Sequence, residues 1–94
     1  MRRVLHGDVV AAARVLLAAP PPGRARLLAR MLQEAEVADA HRRRTGRAHP
    51  LWGTGSLMSA ASPRRRAREP YLDDPDYAAC LAMVFDALVR RVQP

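Results

Sequence analysis

The sequence predicts an all-α fold, a small bundle of three to four helices that we expect to form an oligomer. Two observations support this class. Apolar residues recur at intervals of three and four in several segments, and prolines and capping residues stand at the segment boundaries. With 94 residues, the chain fits one domain at 1–94, and a core of this size leaves part of the stability to self-association.

The first helix is expected to begin after Gly7 or Asp8, because the Asp8 carboxylate can cap the first turn. It should end at the three prolines 20–22, since each lacks an N–H and disfavours helix in the residue before it. Between these points one face is apolar at helical spacing, and it comprises Val9, Val10, Ala13, Leu16 and Leu17.

The second helix is expected to run from Pro22 to about Thr45, where Gly46 can adopt the left-handed stop conformation. Its apolar stripe reaches only to Ala38, so the C-terminal end either projects beyond the core or packs through alanine alone. That end carries Arg42, Arg43 and Arg44. Two interpretations are open: these arginines stabilise the helix end through its dipole, or they meet phosphate.

Residues 49–58 are predicted to form a loop that leads into a short helix capped by Thr54 or Ser56. The Gly-Thr-Gly-Ser turn is similar to a phosphate-binding turn, but no strand precedes it and no lysine is present. The nucleotide fingerprint is therefore not met. The apolar residues of this segment are expected to fill the core or a subunit contact, and they are Leu51, Trp52, Leu57 and Met58.

Between about 59 and 70 the chain has no large apolar side chain, which indicates a flexible basic linker. The last helix follows, with Asp74 as its cap and Pro75 in the first position. Its broad apolar stripe can contact both its own domain and a partner. We therefore assign to an oligomer or partner interface Trp52, Tyr77, Leu81, Val84, Phe85, Leu88 and Val92.

The charge is strongly basic: 16 residues are arginine, none is lysine, nine are acidic, and the formal net charge is +7. A GC-rich genome favours arginine over lysine, but codon bias does not set the ratio of bases to acids. Two arginine clusters alternate with acidic residues, which favours a polyanionic partner. The alternative is a solvated surface with salt bridges between neighbouring subunits. The candidate DNA-binding residues are Arg42, Arg43, Arg44, Arg47, Arg64, Arg65, Arg66 and Arg68.

Residues typical of enzyme chemistry are dispersed along the chain. His6, His41 and His49 lie in different segments, and none stands at metal-ligand spacing from a partner. Cys80 is expected to be a packed thiol, and a single cysteine excludes an internal disulfide and fits a reducing cytoplasm. We therefore expect no enzymatic activity, no cofactor and no metal. No apolar run reaches the roughly 20 residues of a membrane span, so no membrane partner is expected.

Sequence-specific DNA recognition is not predicted. A helix-turn-helix needs a turn of roughly 3–4 residues before a helix whose polar side chains face the bases. Here the join from Gly46 to about Thr54 is longer, and the following helix carries only small or apolar residues. Any DNA binding should therefore be directed at the backbone, weakly selective and strongly salt-dependent.

Three segments carry a family resemblance: 4–14 (VLHGDVVAAAR), 48–58 (AHPLWGTGSLM) and 69–77 (EPYLDDPDY). They resemble small proteins associated with gene transfer agents, which are phage-derived particles that package random host DNA. In that family the small first protein of the cluster acts as a small terminase. The resemblance covers most of the chain, and it rests on packing and turn residues and contains no chemical motif.

The resemblance implies a non-enzymatic DNA-packaging adaptor. Such a protein assembles into a homo-oligomeric ring, binds double-stranded DNA and hands it to a large terminase subunit. Phage versions usually add a helix-turn-helix that reads a packaging site, and its absence here fits packaging without a preferred start. Two alternatives are open: a small helical module that binds an acidic protein partner, and a basic transcriptional regulator.

Overall fold

The computed structural model describes residues 1–92, with Val92 described by its backbone alone. Within them lie four α-helices, α1 (His6–Ala18), α2 (Arg24–Thr45), α3 (Leu57–Ala61) and α4 (Pro75–Val92), and a 3-10 turn at Pro21–Gly23. His49 and Gly53 form an isolated bridge, and no strand is present in the described part of the chain. The predicted all-α class is confirmed.

The core is organised around α1, which contacts each of the other three helices. The apolar face predicted for α1 is mostly correct, since Val9, Ala13 and Leu16 are buried. The stripe of α2 is buried through Leu28, Met31, Leu32 and Ala35, and α3 and α4 complete the core with Leu57, Ala60, Ala61, Tyr77, Cys80 and Val84.

The start of α1 differs from the prediction. The helix begins at His6, with Leu5 as its cap residue, and Asp8 lies in its first turn. The Asp8 carboxylate accepts hydrogen bonds from the Leu5 N–H at 2.7 Å and from the Met58 N–H at 2.9 Å. Asp8 therefore supplies an acceptor to free N–H groups at the starts of both α1 and α3. The predicted start after Gly7 or Asp8 was wrong, although the Asp8 carboxylate does accept a hydrogen bond at this end of the helix.

Arg24 joins the end of α1 to the beginning of α4. Its guanidinium donates to the carbonyl oxygens of Leu17 at 3.2 Å and Ala19 at 3.0 Å, and to the Asp76 carboxylate at 2.7 Å. The carbonyls at the end of a helix have no partners within the helix, so a buried arginine is an effective substitute. The 3-10 turn before Arg24 contains Pro21 and Pro22, and Pro20 is its cap residue, so the proline run itself forms the reversal between α1 and α2.

The C-terminal end of α2 stops at Gly46, whose φ of +74° is the left-handed conformation predicted for it. The helix end does not project freely, because Ala38 and Asp39 are buried. The loop after α2 returns onto this end at Gly55, where φ is +94° and an added Cβ would lie 2.5 Å from the Cα of Asp39. Loop backbone thus packs directly on the helix.

The connection between α3 and α4 is shorter than predicted, because residues 59–61 belong to α3. Ser56 caps α3 by accepting from the Ser59 N–H at 3.0 Å. Further along, Ala67 and Arg14 exchange hydrogen bonds: the Ala67 N–H donates to the Arg14 carbonyl at 3.0 Å, and the Arg14 Nε donates to the Ala67 carbonyl at 2.8 Å. The middle of the connection is therefore attached to α1 through Ala67 and Arg14. The flexibility of the connection stays a prediction.

The start of α4 matches the prediction. The Asp74 carboxylate accepts from the Tyr77 N–H at 3.0 Å, and Pro75 is the first helical residue. Among residues 1–92, no helix combines the length and apolarity that crossing a membrane requires.

Gly55→Ala should lower the free energy of unfolding by roughly 2–4 kcal/mol, because it adds both a disfavoured φ and a clash with α2 backbone. Chemical denaturation followed by circular dichroism measures the change. The matched control is Gly23→Ala, where an added Cβ meets no atom within 4 Å and stability should stay the same or rise by up to about 1 kcal/mol. Equal stability of both variants would contradict the close approach of the loop to α2.

Candidate nucleic-acid interface

The first arginine cluster is organised by the buried carboxylate of Asp39, which is 1% exposed. Arg42 donates to Asp39 Oδ1 at 2.8 Å, Arg43 donates to Oδ2, and the Met1 ammonium lies 3.3 Å from Oδ2. The Arg42 Nε also donates to the Thr54 carbonyl at 3.1 Å. Some of the N–H groups of Arg42 and Arg43 are therefore already hydrogen-bonded within the chain itself.

These contacts change the ionisation of Asp39. Burial opposes its charged form, but hydrogen bonds from Arg42, the N-terminal ammonium and Arg43 outweigh burial and lower the pKa of Asp39 from 3.8 to about 2. A carboxylate that stays ionised in the interior keeps both arginines directed toward it. The interpretation of Arg42 as a purely helix-dipole residue is thus incomplete.

The other two arginines of the first cluster are available at the surface. Arg44 and Arg47 are exposed, and neither has a carboxylate partner within residues 1–92. Thr45 orders the backbone between them, since its hydroxyl donates to the His41 carbonyl at 2.8 Å and accepts from the Arg47 N–H at 3.1 Å. The end of α2 therefore presents two unpaired guanidinium groups beside two that are paired.

The second cluster shows the same division. Arg64 makes a two-pronged contact with Glu34 on α2, at 2.7 and 2.9 Å, and also donates to the Ala60 carbonyl at 2.8 Å. The remaining three arginines of this cluster are exposed and have no carboxylate partner in the part of the chain that the structure describes: Arg65, Arg66 and Arg68.

The Arg64–Glu34 pair fixes where the two clusters lie along α2. Glu34 and Arg42–Arg44 are eight to ten positions apart on one helix, a rise of roughly 12–15 Å. The beginning of the second cluster is therefore about one and a half nanometres from the first along the helix axis. The second cluster is thus attached through Arg64 to the helix that carries the first cluster, a relation that the sequence did not predict.

Two basic residues near the first cluster were not among the predicted site residues. Arg2 and Arg3 are exposed, and they line one groove together with Arg42 and Arg43. The Arg2 N–H donates to the Gly55 carbonyl at 2.8 Å, which places the N-terminal segment against the loop. The Arg-Arg pair was visible in the sequence, but nothing local indicated that it meets residues forty positions away.

The predicted interface on α4 requires correction. Tyr77 and Val84 are fully buried against the chain's own core, so neither side chain is available to a partner. Burial and the Glu69 carboxylate, which accepts the Tyr77 hydroxyl hydrogen at 2.9 Å, raise the pKa of Tyr77 to about 12. Much of the broad apolar stripe of α4 packs against α1 of the same chain, which explains its breadth.

Other members of the predicted interface remain partly accessible. Leu81 and Leu88 are half-buried at the edge of the core, whereas Phe85 is 52% exposed. Trp52 stacks on His49, with ring centroids 4.8 Å apart, and belongs to the loop before α3. The Val92 side chain lies outside the described residues. Of the apolar loop residues, Leu57 is in the core, while Leu51 and Met58 are exposed.

The cysteine is packed as predicted. Cys80 is a free, buried thiol, and burial raises its pKa. Among residues 1–92, no group of three or more histidine, cysteine or carboxylate side chains is arranged to hold a metal ion.

Residues 2–88 match a family described as a domain of unknown function, DUF7742. The chain belongs to the DUF7742 family. The match extends from the N-terminal arginine pair to α4, so both arginine clusters fall within the family region. Searches of curated proteins and of solved structures find no match. The family description assigns no function, and the likeness to small terminases therefore stays a prediction.

Asp39→Asn should lower the free energy of unfolding at pH 7 by about 2 kcal/mol. This is the free energy that corresponds to the lowering of the Asp39 pKa in the folded chain. The folded pKa of Asp39 is about 2 against 3.8, so the contribution of this group is complete above about pH 4 and is lost as the pH falls toward 2. Urea denaturation between pH 2 and pH 7 should show a shallower loss of stability for the variant than for the wild type.

Asp86→Asn provides the control, because Asp86 forms an exposed pair with Arg90. Exposed pairs of this kind contribute little, and the change should be under about 0.5 kcal/mol. If Asp39→Asn and Asp86→Asn had the same small effect at pH 7, Asp39 would not be the electrostatic centre of this region.

Proposed function

We propose that this protein is a non-enzymatic DNA-packaging adaptor of the small-terminase kind, which acts in the cytoplasm. It binds the backbone of double-stranded DNA with little sequence preference and hands the DNA to a large terminase subunit. The observation that carries the proposal is that five arginines of the two clusters are exposed and have no carboxylate partner among residues 1–92: Arg44, Arg47, Arg65, Arg66 and Arg68.

The paired arginines support this role indirectly. Arg42, Arg43 and Arg64 hold the ends of the two clusters in place through Asp39 and Glu34. Because these arginines are held in place, less conformational entropy is lost when the rest of each cluster becomes ordered on DNA. The phosphate-binding residues are therefore narrowed from eight candidates to the five unpaired arginines.

The geometry of the helices favours backbone contact over base reading. Ten residues separate the end of α2 at Gly46 from Leu57, and α3 has only five residues. This arrangement differs from a recognition helix set behind a short turn. Binding through phosphates alone is sequence-independent and weakens steeply with salt.

Assembly and partner docking are further parts of the proposal. Phe85 and Val89 leave the outer side of α4 partly apolar, and the core of a chain this size gains from additional burial. We expect a homo-oligomeric ring that docks the large terminase subunit. Multi-angle light scattering that finds a monomer at all concentrations would count against the ring, and failure to co-purify with a large terminase subunit would count against the adaptor role.

Neutralising the exposed arginines should weaken DNA binding and flatten its salt dependence. Each lost phosphate contact reduces the slope of log K against log salt by about 0.9, so Arg65→Ala with Arg66→Ala should reduce it by roughly 2. Fluorescence anisotropy with two unrelated 30-base-pair duplexes, at several salt concentrations, measures both quantities. The two duplexes should bind equally well.

The matched control is Arg26→Ala with Arg30→Ala, which removes the same charge from two exposed arginines of α2 that have no carboxylate partner among residues 1–92. This variant should keep most of the affinity and the salt slope. An equal loss in both double variants would show that net charge, and no particular surface, attracts DNA. Absence of binding at low salt would remove the proposal.

A second candidate function is a helical module that binds an acidic protein. Tyr71 and Leu72 favour it, since they are 88% and 70% exposed directly after the second arginine cluster. Apolar groups beside arginines are typical of protein interfaces. Capture of an acidic protein that survives Arg65→Ala but is lost in Tyr71→Ser, together with indifference to DNA, would favour this candidate.

A further inference from the structure

A groove of about 650 Å³ lies between the N-terminal segment and the C-terminal end of α2. Arg2 and Arg3 line one side and Arg42 and Arg43 line the other, while Leu5 and Met58 contribute apolar surface. Its volume falls in the range of small-ligand sites and is far too small for a DNA duplex. A ligand of this groove would therefore be a smaller molecule than the duplex of the proposed function.

The accessible charge in this groove is positive. Two carboxylates also line it, those of Asp8 and Asp39, but they are 4% and 1% exposed. Asp8 is occupied by the N–H groups of Leu5 and Met58, and Asp39 is occupied by Arg42, Arg43 and the terminal ammonium. Neither Arg2 nor Arg3 has a carboxylate partner within residues 1–92. An entering ligand thus meets guanidinium groups and buried, already bonded carboxylates.

The apolar surface of the groove adds a second requirement. Leu5 is 70% exposed and Met58 is 46% exposed. Met58 is anchored by its backbone bond to Asp8 and approaches Gly7, where an added Cβ would lie 2.9 Å from its terminal methyl. A suitable ligand therefore combines an anionic group with a compact apolar body.

We propose that this groove binds a nucleoside phosphate. Guanidinium groups match phosphate oxygens in planar, two-pronged hydrogen bonds, and flexible methionine side chains adapt to aromatic surfaces. The phosphate lies among Arg2, Arg3 and those N–H groups of Arg42 and Arg43 that are not bonded to Asp39 or Thr54. The base lies on Leu5 and Met58. The source of the ligand is either a free nucleotide or an unpaired nucleotide at the end of a DNA strand.

The primary test is a titration of the full chain with deoxyadenosine 5′-monophosphate, followed by calorimetry and by ¹H–¹⁵N spectra. We expect saturable binding with shifts at Gly7, Ser56 and the Arg42 Nε–H group. Deoxyadenosine without phosphate and inorganic phosphate alone should each bind at least tenfold more weakly, since each lacks one half of the recognition. Absence of saturable binding by the monophosphate overturns the proposal, and so does equal binding by inorganic phosphate.

Arg2→Ala with Arg3→Ala should weaken monophosphate binding roughly tenfold or more, as expected when charge-assisted hydrogen bonds are lost. The Arg2 backbone bond to Gly55 is retained in this variant, so the fold should be kept, and circular dichroism checks this. Arg26→Ala with Arg30→Ala removes the same charge elsewhere and should bind as the wild type does. Equal weakening in both variants overturns the site.

Met58→Ala tests the apolar half of the groove. It should weaken binding of the monophosphate while leaving the weak binding of inorganic phosphate unchanged. An equal effect on both ligands would overturn the assignment of the base to Met58 and Leu5. An aspartate-rich peptide that displaces the monophosphate at lower concentration would also overturn the proposal, because it would assign the groove to an acidic protein.

Two DNA probes distinguish the sources of the ligand. A duplex with a three-nucleotide, 5′-phosphorylated overhang that competes for the groove more strongly than a blunt duplex identifies the strand end. Equal competition by both duplexes, together with monophosphate binding, identifies the free nucleotide. The test is separate from that of the proposed function, because Arg65→Ala with Arg66→Ala should weaken duplex binding and leave the groove unaffected.

Discussion

The buried carboxylate of Asp39 holds together three parts of the chain that are distant in sequence. It accepts from Arg42 and Arg43 on its own helix and pairs with the ammonium of the N-terminal segment. Gly55 lies against its backbone, and Arg42 reaches from it to the Thr54 carbonyl. A charge this deeply buried is tolerated only with ionised partners, so the end of α2, the following loop and the N-terminal segment must adopt their positions together.

The arginines of the chain consequently serve two different purposes. Arg24, Arg42 and Arg64 act as tertiary connectors, because a guanidinium group carries several donors and can join a carboxylate to backbone carbonyls at the same time. Five other arginines of the two clusters have no carboxylate partner among residues 1–92: Arg44, Arg47, Arg65, Arg66 and Arg68. A high positive charge is therefore compatible with a compact fold. Some arginines form ion pairs with carboxylates of the same chain, and the others lie exposed on the surface next to them.

Local signals in the sequence predicted most of the secondary structure. Asp74 and Pro75 marked the start of α4, Gly46 marked the end of α2 and the proline run marked the end of α1, because capping and φ restrictions depend on a few neighbouring residues. The start of α2 was predicted at Pro22, but Pro21–Gly23 form a 3-10 turn and α2 begins at Arg24. The predicted start of α1 was wrong because the helix begins at His6, so Asp8 lies inside the first turn; its bond to Met58, fifty positions away, had no local signal. The apolar stripe of α4 was recognised, but its breadth did not show that α1 would cover Tyr77 and Val84.

The sequence by itself determined the helical class, the end of α2, the start of α4 and the excess of arginine over acidic residues, since each follows from composition or from short-range stereochemistry. Only the tertiary structure decided which arginines are paired, that Arg64 contacts α2, and that Arg2 and Arg3 share a groove with Arg42 and Arg43. The physical reason is that a carboxylate selects its cation by proximity in the folded chain. Distance along the sequence carries little information about that proximity once helices pack across one another.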